Sequence, residues 1–141
     1  MFIEIYYKMP EIQVKKVIDL KKGSYVWYNN EVWEVLDIET AKTGKHGSAK
    51  ARIVIRSLVS GKTTELVKPT QDPIEVPVIN KIRGQVIAKV SDDVYTVMNL
   101  DTYETFDAKV IDENLKGKIQ EGQKVLIWDI GEKIIVQAFR E

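Results

Sequence analysis

Lys45 and His46 lie between two glycines in the run Lys42-Thr43-Gly44-Lys45-His46-Gly47-Ser48-Ala49-Lys50. Gly44 and Gly47 let the backbone take positive φ on both sides of the pair, which suits a tight projecting tip. Nothing inside the run is apolar enough to draw it into a core. A lysine held there stands clear of the body of the protein, where its amine is open to covalent modification or to insertion into a crevice. Lys42 and Lys50 fall nearer the ends of the flanking strand-like stretches and would add non-specific attraction to phosphate. A surface lysine in a glycine-containing hairpin is ordinarily just solvated, so spacing alone does not assign a function. His46 is the single histidine of the chain. One imidazole builds no metal site without partners, and a solvated loop residue is its ordinary state.

The elements around this loop read as strands. Tyr25-Val26-Trp27-Tyr28 and Glu31-Val32-Trp33-Glu34-Val35-Leu36 flank Asn29-Asn30, a pair that tolerates the positive φ of a tight hairpin. From Lys50 to Leu58, Ala51, Ile53 and Ile55 alternate with Arg52, Val54 and Arg56, the period of a half-buried strand with one charged face. Ser60-Gly61-Lys62 predicts a second turn, and Thr63 to Val67 a returning strand. Pro69, Pro73 and Pro77 then break the pattern, and predict a linker between a first domain of residues 1–75 and a second of 76–141. Residues 1–11 form an extension to the first. Beyond the prolines, strands are predicted at 82–90, 94–100, 105–110, 124–130 and 133–139, with one short helix from Asp112 to Ile119 ended by Gly117. Three strands, a short helix and two strands is the order of an OB-fold. The fold class expected is all-β: two small barrels, the first SH3-like and the second an OB-fold with that helix.

Composition narrows the chemistry. The chain has 141 residues, 44% of them hydrophobic and 30% charged, as in a globular protein. The absence of cysteine excludes disulfides, thiolate metal sites and cysteine nucleophiles. No apolar run approaches the roughly 20 residues that span a bilayer, and the first residues lack the basic start of a secretory signal. A cytoplasmic protein without membrane contact is expected. The net charge is zero, yet from Glu39 to Glu65 the intervening charges are all basic: Lys42, Lys45, Lys50, Arg52, Arg56 and Lys62. Residues 1–75 carry 12 basic and 10 acidic side chains, against 9 and 11 in the remainder. A concentrated basic edge in a neutral protein suits contact with phosphate at one place.

The run Lys42 to Arg52 resembles the signature loop of the initiation factor 5A family, related to bacterial elongation factor P. The similarity continues through Leu20-Lys21-Lys22-Gly23-Ser24-Tyr25-Val26, Val76-Pro77-Val78-Ile79 and Tyr103-Glu104-Thr105-Phe106-Asp107. It covers nearly the whole chain beyond about residue 12, and Ser48 and the short C-terminus look archaeal. Ala41 stands where many members have serine, and the first eleven residues have no counterpart. The resemblance implies that Lys45 carries hypusine or deoxyhypusine, made by transfer of an aminobutyl group from spermidine by deoxyhypusine synthase, an enzyme that uses NAD. It implies a translation factor that binds the ribosome beside peptidyl-tRNA and promotes peptide-bond formation, with no catalytic residue, metal or bound cofactor of its own. Lys42, Thr43, Gly44, His46, Gly47, Lys50 and Arg52 are then the accompanying loop and RNA-contact candidates, with rRNA and tRNA as partners and no DNA. The alternative is a single-stranded RNA-binding OB-fold module with an unmodified basic loop.

Other signals rank lower. Gly61-Lys62-Thr63 resembles the end of a P-loop, but Arg56 occupies the position of its first glycine and a strand follows instead of a helix. Asp92, Asp93, Asp101, Glu104 and Asp107 fall at turns and alternate strand positions, where solvated acids are expected. Trp27, Trp33 and Trp128 suit packing inside strands, while Tyr95 and Tyr103 are the stacking candidates of the second barrel.

Overall fold

The computed structural model describes residues 9–42 and 49–139, with the side chain of Lys42 left out. They fold into two compact units, one spanning Ile12–Val78 and the other made of the described residues from Ile79 onward together with those before Ile12.

In the first unit, β2 (Tyr25–Tyr28), β3 (Glu31–Lys42), β4 (Ala49–Ser57) and β5 (Thr63–Pro69) form one antiparallel sheet in chain order. Strand β1 (Glu11–Lys16) pairs with β6 (Pro73–Val78) in a second, two-stranded sheet, and a 3-10 turn over Val17–Asp19 follows β1. Both sheets contribute to one core: Val26, Trp33, Val35, Ala51, Ile53, Ile55 and Leu66 meet Ile74 and Val76 of β6 and Val17 and Leu20 around the 3-10 turn. This is the small SH3-like arrangement expected. Ala51, Ile53 and Ile55 are fully buried, so the alternation along β4 points its charged face outward. Asn29 and Asn30 take φ of 52° and 60°, the doubly left-handed turn that matches the twist of a two-residue hairpin.

The proline-rich stretch is an edge strand where a linker was expected. Ile74 and Val76 are each 7% exposed, and their burial holds the segment on the first core. Prolines are tolerated there because an edge strand needs only alternate backbone donors, and Pro73 opens it.

Ser57 closes the far end of the β3–β4 hairpin. Its buried hydroxyl donates to Glu31 Oε1 (3.0 Å) and accepts from the amides of Val59 (3.3 Å) and Ser60 (3.1 Å). Ser57→Ala strands a carboxylate and two amides at once. It is expected to cost about 1–3 kcal/mol, measurable as a lower urea midpoint with an unchanged slope.

The second unit is a closed five-stranded barrel. Strands β7 (Asn80–Lys89), β8 (Val94–Asn99) and β9 (Thr105–Val110) form a meander, β10 (Lys124–Asp129) and β11 (Lys133–Ala138) a hairpin. Closure comes from the antiparallel β10–β7 pairing and a parallel contact of Ile134 and Ile135 in β11 with Lys109 and Val110 in β9. Val86, Tyr95, Val97, Ala108, Val110, Val125, Ile127 and Ile135 fill the interior, and Ile119 plugs it from the β9–β10 connection.

Two expectations are corrected here. Residues 112–119 form turns in place of the short helix. Asp112 does cap the segment, accepting from Asn114 N through Oδ1 (2.9 Å), and Lys116 N reaches Asp112 O (3.2 Å). Gly117 then takes φ of 72°. One turn does not repay the cost of helix nucleation. Tyr95 is not a stacking surface: it is wholly buried in the barrel, its hydroxyl 3.5 Å from Asp92 O.

Candidate functional site

The β3–β4 hairpin delivers the candidate loop. Its register runs from Trp33↔Ser57 to Ala41↔Lys50 and Lys42↔Ala49, with an irregularity between Val35 and Asp37. The two strands are 12 and 9 residues long, and β4 stays packed on the core as far as the fully buried Ala51, two residues from the end of its described span. Thr43, Gly44, Lys45, His46 and Gly47 lie outside the described residues, as does the side chain of Lys42. What the structure defines is the root from which they spring.

That root is tied to sequence-distant segments. Ala49 O accepts a hydrogen bond from Thr70 N (2.9 Å), and Lys50 lies opposite Pro69 on β5. The turn that carries Thr70 is itself held by the 3-10 turn: Ile18 N donates to Thr70 O (2.9 Å) and Val17 N to Asp72 O (3.0 Å). Thr70 is 4% exposed, one of two buried polar residues described in this way. Sequence reasoning missed this brace. The signal would have been a polar residue following Pro69, but its contact with residue 49 depends on the register of β4 with β5.

The folded sheet redistributes the basic run. Arg52 faces Glu39 on β3 and lies beside Glu65 on β5, with ion-pair distances of 3.8 Å and 2.8 Å. Hydrogen bonding to Arg52 draws the Glu65 carboxyl below its ordinary value and raises the guanidinium further. Arg56 pairs with Glu34 (3.2 Å). A stretch with six cations and no acid in sequence is thus interleaved with acids from both neighbouring strands. Lys50, exposed and opposite Ala41, has no ion-pair partner among the described residues. Among the described cations of the run, those without an ion pair are Lys50 at the loop end and Lys62 at the opposite turn. Of the candidates that can be located, Lys50 stands free at the root, while Arg52 is held in place by two carboxylates.

Comparison with known proteins fixes the family. The translation initiation factor 5A-like N-terminal domain model matches residues 12–72. Translation initiation factor 5A of Nanoarchaeum equitans is 46% identical over 144 residues, covering 93% of this chain and 99% of that protein. The chain belongs to the translation initiation factor 5A family. A further family member, from Sulfurisphaera tokodaii, is 44% identical over 128 residues, covering 89% of this chain and 97% of its own. Among solved structures, eukaryotic translation initiation factor 5A from Methanococcus jannaschii superposes with a TM-score of 0.82 at 36% identity, covering 93% of this chain and 97% of that one. A translation initiation factor eIF-5A family protein from Naegleria fowleri gives 0.76 at 30% identity, covering 92% and 99%. These matches extend through both barrels.

Among the described residues no group of three histidine or carboxylate side chains converges to hold a metal. The turn acids Asp92 and Asp93 are taken up by lysines: Lys89 Nζ lies 2.9 Å from Asp92 and Lys116 Nζ 3.8 Å from Asp93. No helix of the described residues is long and apolar enough to cross a membrane. Gly61-Lys62-Thr63 belongs to a β-turn and the start of β5, with Gly61 at φ of 74°, a backbone unlike a phosphate-binding loop that opens a helix.

Proposed function

We propose that the chain is a ribosome-bound translation factor whose working group is the side chain of Lys45, extended by an aminobutyl arm. The observation that carries this reading is the signature run Lys42 to Arg52, whose two ends lie on the paired β3–β4 hairpin braced at Ala49, in a chain of the 5A family. Deoxyhypusine synthase transfers the arm from spermidine, giving hypusine or its deoxy form. The arm about doubles the reach of lysine and adds a second ammonium, with three donors per protonated amine. In a narrow RNA cavity it places charge and donors against the backbone of rRNA or peptidyl-tRNA. Held there, it orients the acceptor end of peptidyl-tRNA, and orientation is itself a source of rate acceleration. The ribosome performs peptide transfer in the cytoplasm, and the factor supplies position without being an enzyme.

The test is the mass of the Lys45 peptide from protein purified out of its native host. An aminobutyl addition on Lys45 is expected. A bare lysine at that position overturns the reading and leaves the single-stranded RNA-binding module in its place.

A further inference from the structure

Strand β1 has a strand neighbour on one side only. Among the described residues it pairs with β6 and no other strand, and none of its own residues is buried. Val17 N, just beyond it, donates to Asp72 O (3.0 Å) in the turn before β6. Amides alternate sides along a strand, so those of Gln13 and Lys15 face β6 as well. The amides of Ile12, Val14 and Lys16 then face the open edge.

The side chains along this edge are mixed in character. Val14 is 66% exposed, and Ile18 in the 3-10 turn 53%. Val14 also borders an apolar groove with Trp27, Tyr28, Leu66 and Ile74. The charge around them is mostly of one sign: between Glu11 and Glu31 the single acid is Asp19, against Lys15, Lys16, Lys21 and Lys22. All these lysines are exposed, and every ion pair among the described residues of the first unit is made by Arg52 or Arg56. Lys16 reaches only the side-chain oxygen of Gln71 (3.4 Å). Lysines on an edge strand ordinarily discourage pairing with other strands. That deterrent is selective, because a strand carrying carboxylates satisfies the ammonium groups. Nucleic acid would also satisfy them, but phosphate gains nothing from Val14 or Ile18.

We propose that the outer edge of β1 is a docking site for a protein partner, which adds an extended segment of alternating apolar and acidic residues. Backbone hydrogen bonds to Ile12, Val14 and Lys16 supply affinity, while Val14 and the lysines select the sequence. The site is joined to the loop root, because Val17 and Ile18 hold the turn whose Thr70 braces Ala49. Its chemistry needs neither Lys45 nor the aminobutyl arm, so it stands or falls separately from the proposed function.

The probe is a fluorescein-labelled peptide of about eight residues, an ordinary strand length, alternating valine and glutamate. Its anisotropy is titrated with the full chain, and amide shifts in isotope-labelled protein locate the contact, expected at Glu11–Lys16. Val14→Pro removes an outward donor and leaves the β1–β6 pairing intact, as prolines do on edge strands. Its affinity should fall at least about tenfold, whereas Val14→Thr, which keeps the amide, should stay near wild type. Lys15→Glu combined with Lys16→Glu should lose this peptide and gain one with lysine in place of glutamate. If Val14→Pro fails to fold, that exchange of preference decides alone. Absence of saturable binding, unchanged affinity in a folded Val14→Pro, or no exchange in the charge-reversed pair overturns the proposal. So does equal binding of polyglutamate of the same charge, which would reduce the surface to electrostatics. Displacement of the peptide by RNA of equal charge would make RNA the occupant. Markedly tighter binding by a chain lacking residues 1–8 would assign the edge to the chain's own start. A mass in light scattering that rises with protein concentration, and falls when the peptide is added, would assign it to a second copy. Each of these three also overturns the proposal.

Discussion

Lys45→Arg is expected to fold as wild type and to reduce stimulation of peptide-bond formation to the level seen without the factor. The substitution conserves charge, but the guanidinium is planar, delocalised and permanently protonated, so it offers no free amine to accept an aminobutyl group. The loop root depends on the β3–β4 register and on Thr70 N donating to Ala49 O, none of which involves Lys45. Surface changes away from such features fall within about 0.5 kcal/mol, so the urea midpoint should not move. The measurement pairs that midpoint with the rate of peptide transfer on a stalling sequence, using ribosomes and factor from the native host. Wild-type rates from the variant would mean that positive charge suffices and that the arm has no part in the reaction.

Gly84→Ala should give a large loss of stability. Gly84 lies on β7 between Asn99 of β8 and Val125 of β10, facing the barrel interior. A Cβ built there would lie 2.5 Å from Val97 Cγ1 and 2.6 Å from Ile127 Cδ1, both fully buried. The backbone oxygen of Met98 would lie 3.2 Å from the same Cβ, and a closed barrel limits how far strands can part. Overpacking of this kind costs about 1–3 kcal/mol, or roughly 4–8 °C of melting temperature per kcal/mol in a unit of this size. Ile127→Val removes the Cδ1 that the new methyl meets, so the double variant should lose less than the sum of the single losses. Additive losses would show that the strain is absorbed elsewhere.

Much of the fold could be read from local chemistry. Asn29-Asn30 announced a hairpin because asparagine accepts positive φ, and Ala51, Ile53 and Ile55 announced a strand with one buried face. What escaped depended on partners distant in sequence. Prolines at 73 and 77 looked like a break because their cost is local, whereas the burial of Ile74 and Val76 is tertiary. Asp112 and Gly117 were correct end signals for a helix with too few residues between them. Tyr95 and Tyr103 are the same residue type on the same meander, and only barrel closure decides that one is sealed inside and the other displayed. For the loop, the residue types were visible at once, but the compensation of Arg52 and Arg56 required the registers of β3 and β5.

A guanidinium 2.8 Å from a carboxylate presents a dipole to a distant polyanion, and a dipole's field decays faster than that of a lone charge. At physiological salt, with a Debye length of about 8 Å, the flanks of the hairpin are electrically quiet to an approaching RNA surface. On the proposed reading, the attraction this hairpin offers to phosphate is then concentrated at its end, where the sequence places Lys42, Lys45 and Lys50.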